Sequence, residues 1–347
     1  NQCLILFSQI SFILQKAIMT KRVAIIGAGC SGLTAIKCCL EEGLEPVCFE
    51  KSSDIGGLWR FTTYKSVVTN TSKEMMCYTD FPMPEDFPAY LHNSKVLEYL
   101  RLYAKHFDLM KYIQFQVNVT KCSDFPSTGQ WDIATLTNGI QRNSIFDAVL
   151  ICNGHHTKHY LPLDSFPGIE NFKGHYVHSR FYKDSANYKG KTVLVVGIGN
   201  SAGDIAVDIS NTAKQVIFVL ISLLLFLPTT LFKLSSLEKS YLKMIQWLKT
   251  WMRGKMVNLL TWLFRNSTSL YSFKEKYSTN GIENPVIIMW KEPLVNEELP
   301  SRILTGTIVI KPGVKEFTET SVCFEDGTRV DNLDVVIFAT GYQFSFP

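Results

Sequence analysis

Short apolar runs closed by glycine dominate the pattern of this chain. Val23 to Ile26 reads as a buried strand running into Gly27, Gly29 and Gly32; helical spacing then continues to about Glu42, Gly43 ends the helix, and Pro46 to Phe49 form a second strand that delivers Glu50. This is a βαβ dinucleotide fingerprint in which each glycine has a job. Gly27 permits the tight turn, Gly29 lets the N–H groups around Ala28, Cys30 and Ser31 approach a pyrophosphate, and Gly32 lets helix and strand pack closely. Glu50, 18 residues beyond Gly32, stands where a carboxylate accepts from ribose hydroxyls. The pair Gly56-Gly57, with Leu58-Trp59 as an apolar wall, extends the same groove.

The pattern recurs downstream. Val193 to Val196 leads to Gly197, Gly199 and Ala202, a helix to about Thr212, and a strand at Gln215 to Val219. Two phosphate-cradling loops imply two dinucleotides, a flavin held throughout and a nicotinamide that visits. The expected fold class is therefore α/β, with two Rossmann-like domains and the second inserted in the first. Between the loops, Lys95 to Phe107 reads as a surface helix, while Ile113 to Val119, Trp131 to Leu136 and Ser144 to Ile151 read as strands. Asn138-Gly139 marks a hairpin turn, and Phe146 to Gly154 returns to the parallel sheet. The polar loop of Lys65 to Tyr78 carries Thr69, Asn70 and Thr71.

Composition adds limits. A chain of 347 residues allows about two domains. Its net charge of +4 is concentrated in Lys233 to Arg265, where seven Lys/Arg face the single Glu238, so the remainder argues against nucleic acid. Nine cysteines without a CxxC read as reduced thiols facing the cytosol and disfavour a disulfide reductase. His155, His156 and His159 lack a completing ligand set and read as loop residues rather than a metal site. Residues 1–18 fail as a signal peptide and are set aside as an extra segment, with Met19 as the natural start. Val216 to Leu227 is 12 residues long, a length that favours buried core over a membrane span. Tyr241 to Phe264, apolar at helical spacing with Trp247, Trp251 and Trp262 among Lys/Arg, reads equally as a helix on an anionic membrane surface or as a lid on the domain.

Taken in order, GAGCSG, EKSSDIGGLWRF, TNTSKEM, FKGHYVHSRFYK (Phe172, Gly174, His178, Tyr182), GIGNS and FATGY closely resemble the flavin-containing monooxygenases of the dimethylaniline N-oxide-forming type, from about Met19 to Phe218 and from about Lys291 to Pro347. The resemblance implies FAD and NADPH as cofactors. NADPH would reduce FAD, O2 would add at the flavin C4a, and the hydroperoxide would oxygenate a soft nitrogen or sulfur of a small amine or sulfide. It also implies roles. Gly27, Ala28, Gly29, Cys30, Ser31 and Gly32 would hold the FAD pyrophosphate, Glu50 its ribose, and Leu58 and Trp59 the flavin side. Asn70, between Thr69 and Thr71, matches the asparagine that hydrogen-bonds the hydroperoxide and is the catalytic candidate. Thr69, Gly197, Gly199, Ser201, Ala202, Gly203 and Asp204 would meet NADP, and His178 would fix the geometry of an interdomain linker. Implied domains are 19–168 for FAD, 169–325 for NADP with a helical insertion at 233–265, and a return to the FAD domain over 326–347. The implied location is the cytosolic face of the endoplasmic reticulum membrane, with membrane-surface association.

Three departures qualify the match. Phe61 to Tyr64 joins two motifs that the family separates by several more residues, which would displace Asn70. No charge lies between Gln215 and Phe232, where the family places an arginine for the 2′-phosphate of NADPH. Loss of such a partner removes ~1.5–3 kcal/mol, enough to weaken cofactor selection about ten-fold or more. The family also continues beyond FATGY to a hydrophobic anchor, so the chain reads as a truncated or divergent member. Alternatives are a flavin-binding remnant without turnover and a Baeyer–Villiger monooxygenase.

Overall fold

Both glycine-closed patterns become parallel sheets in the computed structural model, which describes residues 20–219, 296 and 298–347. The first unit runs β1 (Arg22–Ile26), α1 (Cys30–Glu41), β2 (Glu45–Glu50), α2 (Leu58–Phe61), α3 (Lys73–Met76), α4 (Asn93–His106) and β3 (Ile113–Phe115). An antiparallel meander follows, β4 (Asn118–Phe125), β5 (Gln130–Thr137) and β6 (Ile140–Phe146), before β7 (Ala148–Ile151). After β8 (Lys158–His159), the second unit comprises β9 (His175–His178), β10 (Thr192–Val196), α5 (Asn200–Ser210), β11 (Gln215–Val219), α6 (Leu299–Leu304) and β12 (Ile308–Lys311). A second meander, β13 (Val314–Phe317), β14 (Val322–Phe324) and β15 (Arg329–Val330), precedes β16 (Val335–Phe338) and β17 (Tyr342–Gln343).

The sheet orders are β3-β2-β1-β7 and β12-β11-β10-β16-β9. Apart from the added edge strand β9, the second sheet repeats the first, down to a meander inserted before the last-entering strand. The repeat extends to single residues. Asp147, ahead of β7, accepts from the Arg22 N–H at 2.9 Å, and Asp334, ahead of β16, accepts from the Thr192 N–H at 2.8 Å. Each aspartate thus locks its strand onto the strand that runs into the glycine turn of its unit, β1 or β10.

Burial explains the sequence pattern. All five residues of β10 are buried, because helices and loops cover both faces of a parallel sheet. Val193 and Val195 pack with Ile205 and Ile209 of α5, whereas Leu194 and Val196 pack with Phe166, Phe172, Phe317 and Phe324. In the first unit, Ile25 joins Leu33 and Ile36 of α1 and Val96, Tyr99, Leu100 and Tyr103 of α4.

Three expectations need correction. Ile113 to Val119 is not one strand: Gln116, at φ 58°, breaks it, so β3 joins the parallel sheet and β4 starts the meander. Ser144 to Ile151 is likewise divided at Asp147 into an antiparallel and a parallel strand. The predicted return to the first domain at 326 is also displaced, since β16 lies between β10 and β9 in the second sheet. FDAVLICNG and LDVVIFATG have the same pattern because they occupy the same place in the two units. Only β17 leads back, pairing antiparallel with β8. The Asn138-Gly139 turn does close the hairpin between β5 and β6, with φ 49° and 79°.

The extra segment 1–18, the apolar residues beyond Val219 and the helical insertion 233–265 lie outside the described residues. Among the described residues, no helix is long and apolar enough to cross a membrane, and the eight described cysteines are free thiols.

Helix–strand packing at the first turn leaves no room for a side chain. A Cβ on Gly32 would stand 1.8 Å from the Gly27 carbonyl oxygen. Gly32→Ala is therefore expected to destabilise the chain by about 1–3 kcal/mol or more, read as a lower urea midpoint without any added nucleotide.

Candidate functional site

The site is built where two strand-to-helix turns leave backbone bare. At the first, Gly27 adopts φ +102°, and a Cβ there would stand 2.7 Å from the Cys152 carbonyl oxygen at the end of β7. Helix α1 starts from Gly29 with no side-chain cap and no acidic residue in its first turn. Its first N–H groups therefore face an acceptor from outside the helix, and the dipole favours an anion there. Gly57 lies against Gly29, and the Gly56 N–H donates to the Ala28 carbonyl at 3.1 Å, so the GGLW segment docks on this loop as one continuous cradle.

Around it, Ser31 is exposed and Ala28 and Gly32 are buried. Leu58 is 38% exposed, an apolar side chain open to a ligand. Trp59 packs at the edge of the core, and its indole reaches the Cys30 side chain, whose thiol burial pushes upward and keeps protonated. The Tyr78 hydroxyl donates to the Cys30 carbonyl at 2.9 Å.

Glu50 carries more of the loop's order than the sequence implies. It is 6% exposed, and its Oε2 accepts from the Ala28 N–H at 2.8 Å. Its Oε1 accepts from the Ser52 N–H at 2.8 Å and from the Ser52 hydroxyl at 2.6 Å. The carboxylate thus holds the glycine loop in shape; any ribose contact is added to these bonds.

Asn70 is exposed on a loop fixed from both sides. The buried Thr69 exchanges backbone contact with Leu91, accepts from the Leu91 N–H through its hydroxyl at 2.9 Å, and donates to the Thr71 carbonyl at 2.9 Å. The sequence marks Thr69 as a nucleotide contact; here its polar groups serve the loop.

The second turn repeats the first. Gly197 has φ +138°, and a Cβ would stand 2.3 Å from the Ala339 carbonyl oxygen of FATGY. Gly199 opens on free space, and α5 starts from it without a side-chain cap. Ser201 is exposed on the first turn, while Ala202 and Gly203 are buried against the sheet.

Asp204 does not point into this mouth. Its Oδ2 accepts from the Tyr64 hydroxyl at 2.9 Å and its Oδ1 from the Asn296 amide at 2.8 Å. One turn on, Asp208 Oδ2 accepts from Tyr182 at 2.6 Å and from Ser66 at 3.1 Å. Burial raises the Asp204 carboxyl, and burial together with these acids pushes both tyrosine hydroxyls far above their ordinary range. The role of Tyr64, Ser66 and Asp208 is missed by sequence reasoning; only the i,i+4 spacing of two acids on an otherwise apolar helix hints at it.

His178 is 1% exposed and has both ring nitrogens engaged. Nδ1 accepts from the Arg180 N–H at 3.1 Å, so Nε2–H donates to the Gly341 carbonyl at 3.0 Å. Desolvation lowers its pKa to about 4, so the ring is a neutral strut joining β9 to the FATGY turn. The His155 and His156 rings lie 4.0 Å apart and tilted by 56°, and among the described residues no group of side chains is arranged to hold a metal ion. An open cleft of about 400 Å³ beside Lys158 to Pro162 contains none of the loop residues.

The sequence profile described as "FMO-like: Flavin-binding monooxygenase-like" matches residues 20–347. "Dimethylaniline monooxygenase [N-oxide-forming] 2" of Pan troglodytes is 49% identical over 348 residues, covering 95% of this chain and 63% of that protein. "Flavin-containing monooxygenase 5" of Mus musculus is 51% identical over 343 residues, covering 94% and 63%. The chain thus spans under two thirds of the length of the curated relatives it matches. Among solved structures, S-allyl-L-cysteine S-oxygenase from Allium sativum superposes with TM-score 0.65 at 23% identity, covering 95% of this chain and 64% of that one. Cyclohexanone monooxygenase from Rhodococcus sp. Phi1 bound to NADP+ gives 0.65 at 19%, covering 93% and 71%. At these identities the structures speak to the fold.

Glu50→Gln would turn an amide N–H toward one set of donors. It is expected to cost about 1–3 kcal/mol of stability with no nucleotide present, measured by urea unfolding. For His178, the folded pKa lies below the ordinary 6.5, so the unfolded chain binds the extra proton. Stability is expected to fall as pH drops from about 6.5 to about 4, and His178→Asn should remove that part of the slope in urea midpoints compared at pH 7 and pH 5.

Proposed function

Because this chain belongs to the flavin-binding monooxygenase-like family, we propose that it binds FAD and NADPH and oxygenates soft nitrogen or sulfur atoms of small amines and sulfides. The observation that carries the reading is the pair of uncapped helix starts at Gly29 and Gly199. Each is reached through a glycine with no space for a Cβ and is walled by a matching strand end.

FAD, once reduced by NADPH, supplies the oxygen-activating chemistry. The chain's own residues bind, orient and shield. Gly27, Ala28, Gly29, Cys30, Ser31 and Gly32 offer backbone N–H groups to the FAD diphosphate, and Glu50 keeps them aimed. Leu58 and Trp59 present apolar surface to the flavin. Asn70, held by Thr69 and Thr71, offers an amide that donates or accepts a hydrogen bond beside the reacting oxygen. Gly197, Gly199, Ser201, Ala202 and Gly203 form the entry for NADPH, with Ser201 exposed to meet a phosphate. We place the FAD domain at 19–168 and the NADP domain from 169, and locate the protein at the cytosolic face of the endoplasmic reticulum membrane. The basic, Trp-bearing sequence of Tyr241 to Phe264 supports membrane-surface association.

Purified protein is expected to carry a flavin absorption spectrum that bleaches when NADPH is added without oxygen. Re-aeration with N,N-dimethylaniline should yield the N-oxide. A colourless protein, or a flavin that NADPH leaves oxidised, would overturn the proposal.

A further inference from the structure

The segment between α2 and the Thr69–Thr71 loop belongs to the first unit in sequence but packs into the second. Tyr64 is buried in the core of the second unit, edge-on to Tyr182 at 5.8 Å between ring centroids. Its hydroxyl reaches Asp204, and two residues on, Ser66 reaches Asp208. The backbone is tied as well. The Lys65 N–H donates to the Lys183 carbonyl at 2.9 Å, and the Lys183 ammonium donates to the Phe61 and Thr63 carbonyls at 3.2 and 3.3 Å.

This strap has candidate flavin contacts at both ends, Leu58 and Trp59 before it and Asn70 after it. Its anchor is the helix whose first residue follows Gly199. The two nucleotide loops are therefore joined mechanically through one helix and six residues of chain. Asp204 and Asp208, a turn apart on the same face, accept from the strap's Tyr64 and Ser66 hydroxyls, and Ser201 on the first turn adds a side-chain hydrogen bond to Tyr64.

We propose that Asp204 and Asp208 are positioning residues: they clamp the 61–66 strap to helix α5 and so set the distance and angle between the nicotinamide donor and the flavin beside Asn70. The assignment rests on the function proposed above. It goes beyond holding the fold together, because the strap ties the chain between Trp59 and Asn70 to the helix that starts at Gly199, and hydride transfer is sensitive to small displacements. Neither aspartate touches a nucleotide in this assignment.

The test uses the full chain with Tyr64→Phe, Ser66→Ala, Asp204→Ala and the Tyr64→Phe/Asp204→Ala pair. The first two remove only a hydroxyl and keep the packing. Without nucleotide, amide exchange over residues 62–69 is expected to rise about ten-fold in Tyr64→Phe, the change that follows from losing one hydrogen bond to a charged group. In the loaded protein, anaerobic flavin bleaching at saturating NADPH should slow about ten-fold while the NADPH Kd stays within about three-fold. The Tyr64 and Asp204 effects should be non-additive. Ser66→Ala should move both readouts in the same direction by less. Unchanged exchange in the variants would overturn the clamp. Faster exchange with an unchanged bleaching rate at saturation would reduce it to a structural contact and overturn the positioning role. If the parent chain's flavin is not bleached at all, the function proposed above falls, and the exchange measurement still decides the clamp.

Discussion

At Gly32 the backbone of a helix comes so near the preceding turn that no side chain fits, and at Gly197 the end of a neighbouring strand imposes the same exclusion. This crowding is what the architecture serves. A strand can hand over to a helix in three residues only if the turn is bare, and a glycine at the start of the helix leaves its first N–H groups without a side-chain cap. The walls of the two turns, Cys152 and Ala339, are supplied by strands that enter each sheet last in the sequence. In both units an aspartate that accepts a backbone hydrogen bond fixes where that strand starts. The same solution is thus built twice, from sequences that share little beyond their spacing of apolar residues, glycine and aspartate.

What joins the two copies is of a different kind. Carboxylates on one helix accept from tyrosine and serine hydroxyls of the other unit; the Tyr64–Asp204 bond lies in partly buried surroundings where water competes weakly and bonds of this type contribute about 1.5–3 kcal/mol, whereas the Ser66–Asp208 bond is exposed and contributes less. The Lys65–Asp184 ion pair nearby is short at 2.6 Å, but its ammonium is well exposed, so it adds little. His178 makes a tie of the neutral kind within the second unit, joining the strand of FKGHYVH to the carbonyl of Gly341. Order between the units comes from hydrogen bonds made by partly buried polar groups, while order within each comes from apolar packing.

The sequence made the local parts legible. Strand, glycine and helix positions around Gly27 and Gly197 agree with the structure to within one or two residues, because burial on both faces of a parallel strand writes an unbroken apolar run. The hairpin at Asn138-Gly139 was readable because a turn with positive φ at both positions selects those residue types. Partners distant in sequence were not legible. Tyr64 reads as an ordinary connector residue, and its burial depends on a helix 140 positions away. Asp204 lies in a motif that suggests a nucleotide contact, yet helical geometry turns its side chain toward the other unit. FATGY was assigned to the wrong sheet for a related reason: β7 and β16 have the same pattern, and only their hydrogen-bonded neighbours tell them apart.

Those neighbours also govern assembly. Among the described strands, β16 is the sole sheet partner of β9 and lies between it and β10. Val193 pairs with Val335, so the centre of the second sheet must wait for a loop of well over a hundred residues to close, whereas each meander zips between near neighbours. Among the described strands, the one carrying His178 takes its register from β16 alone, so it is fastened to the second unit as an outrigger and not as a beam of its centre.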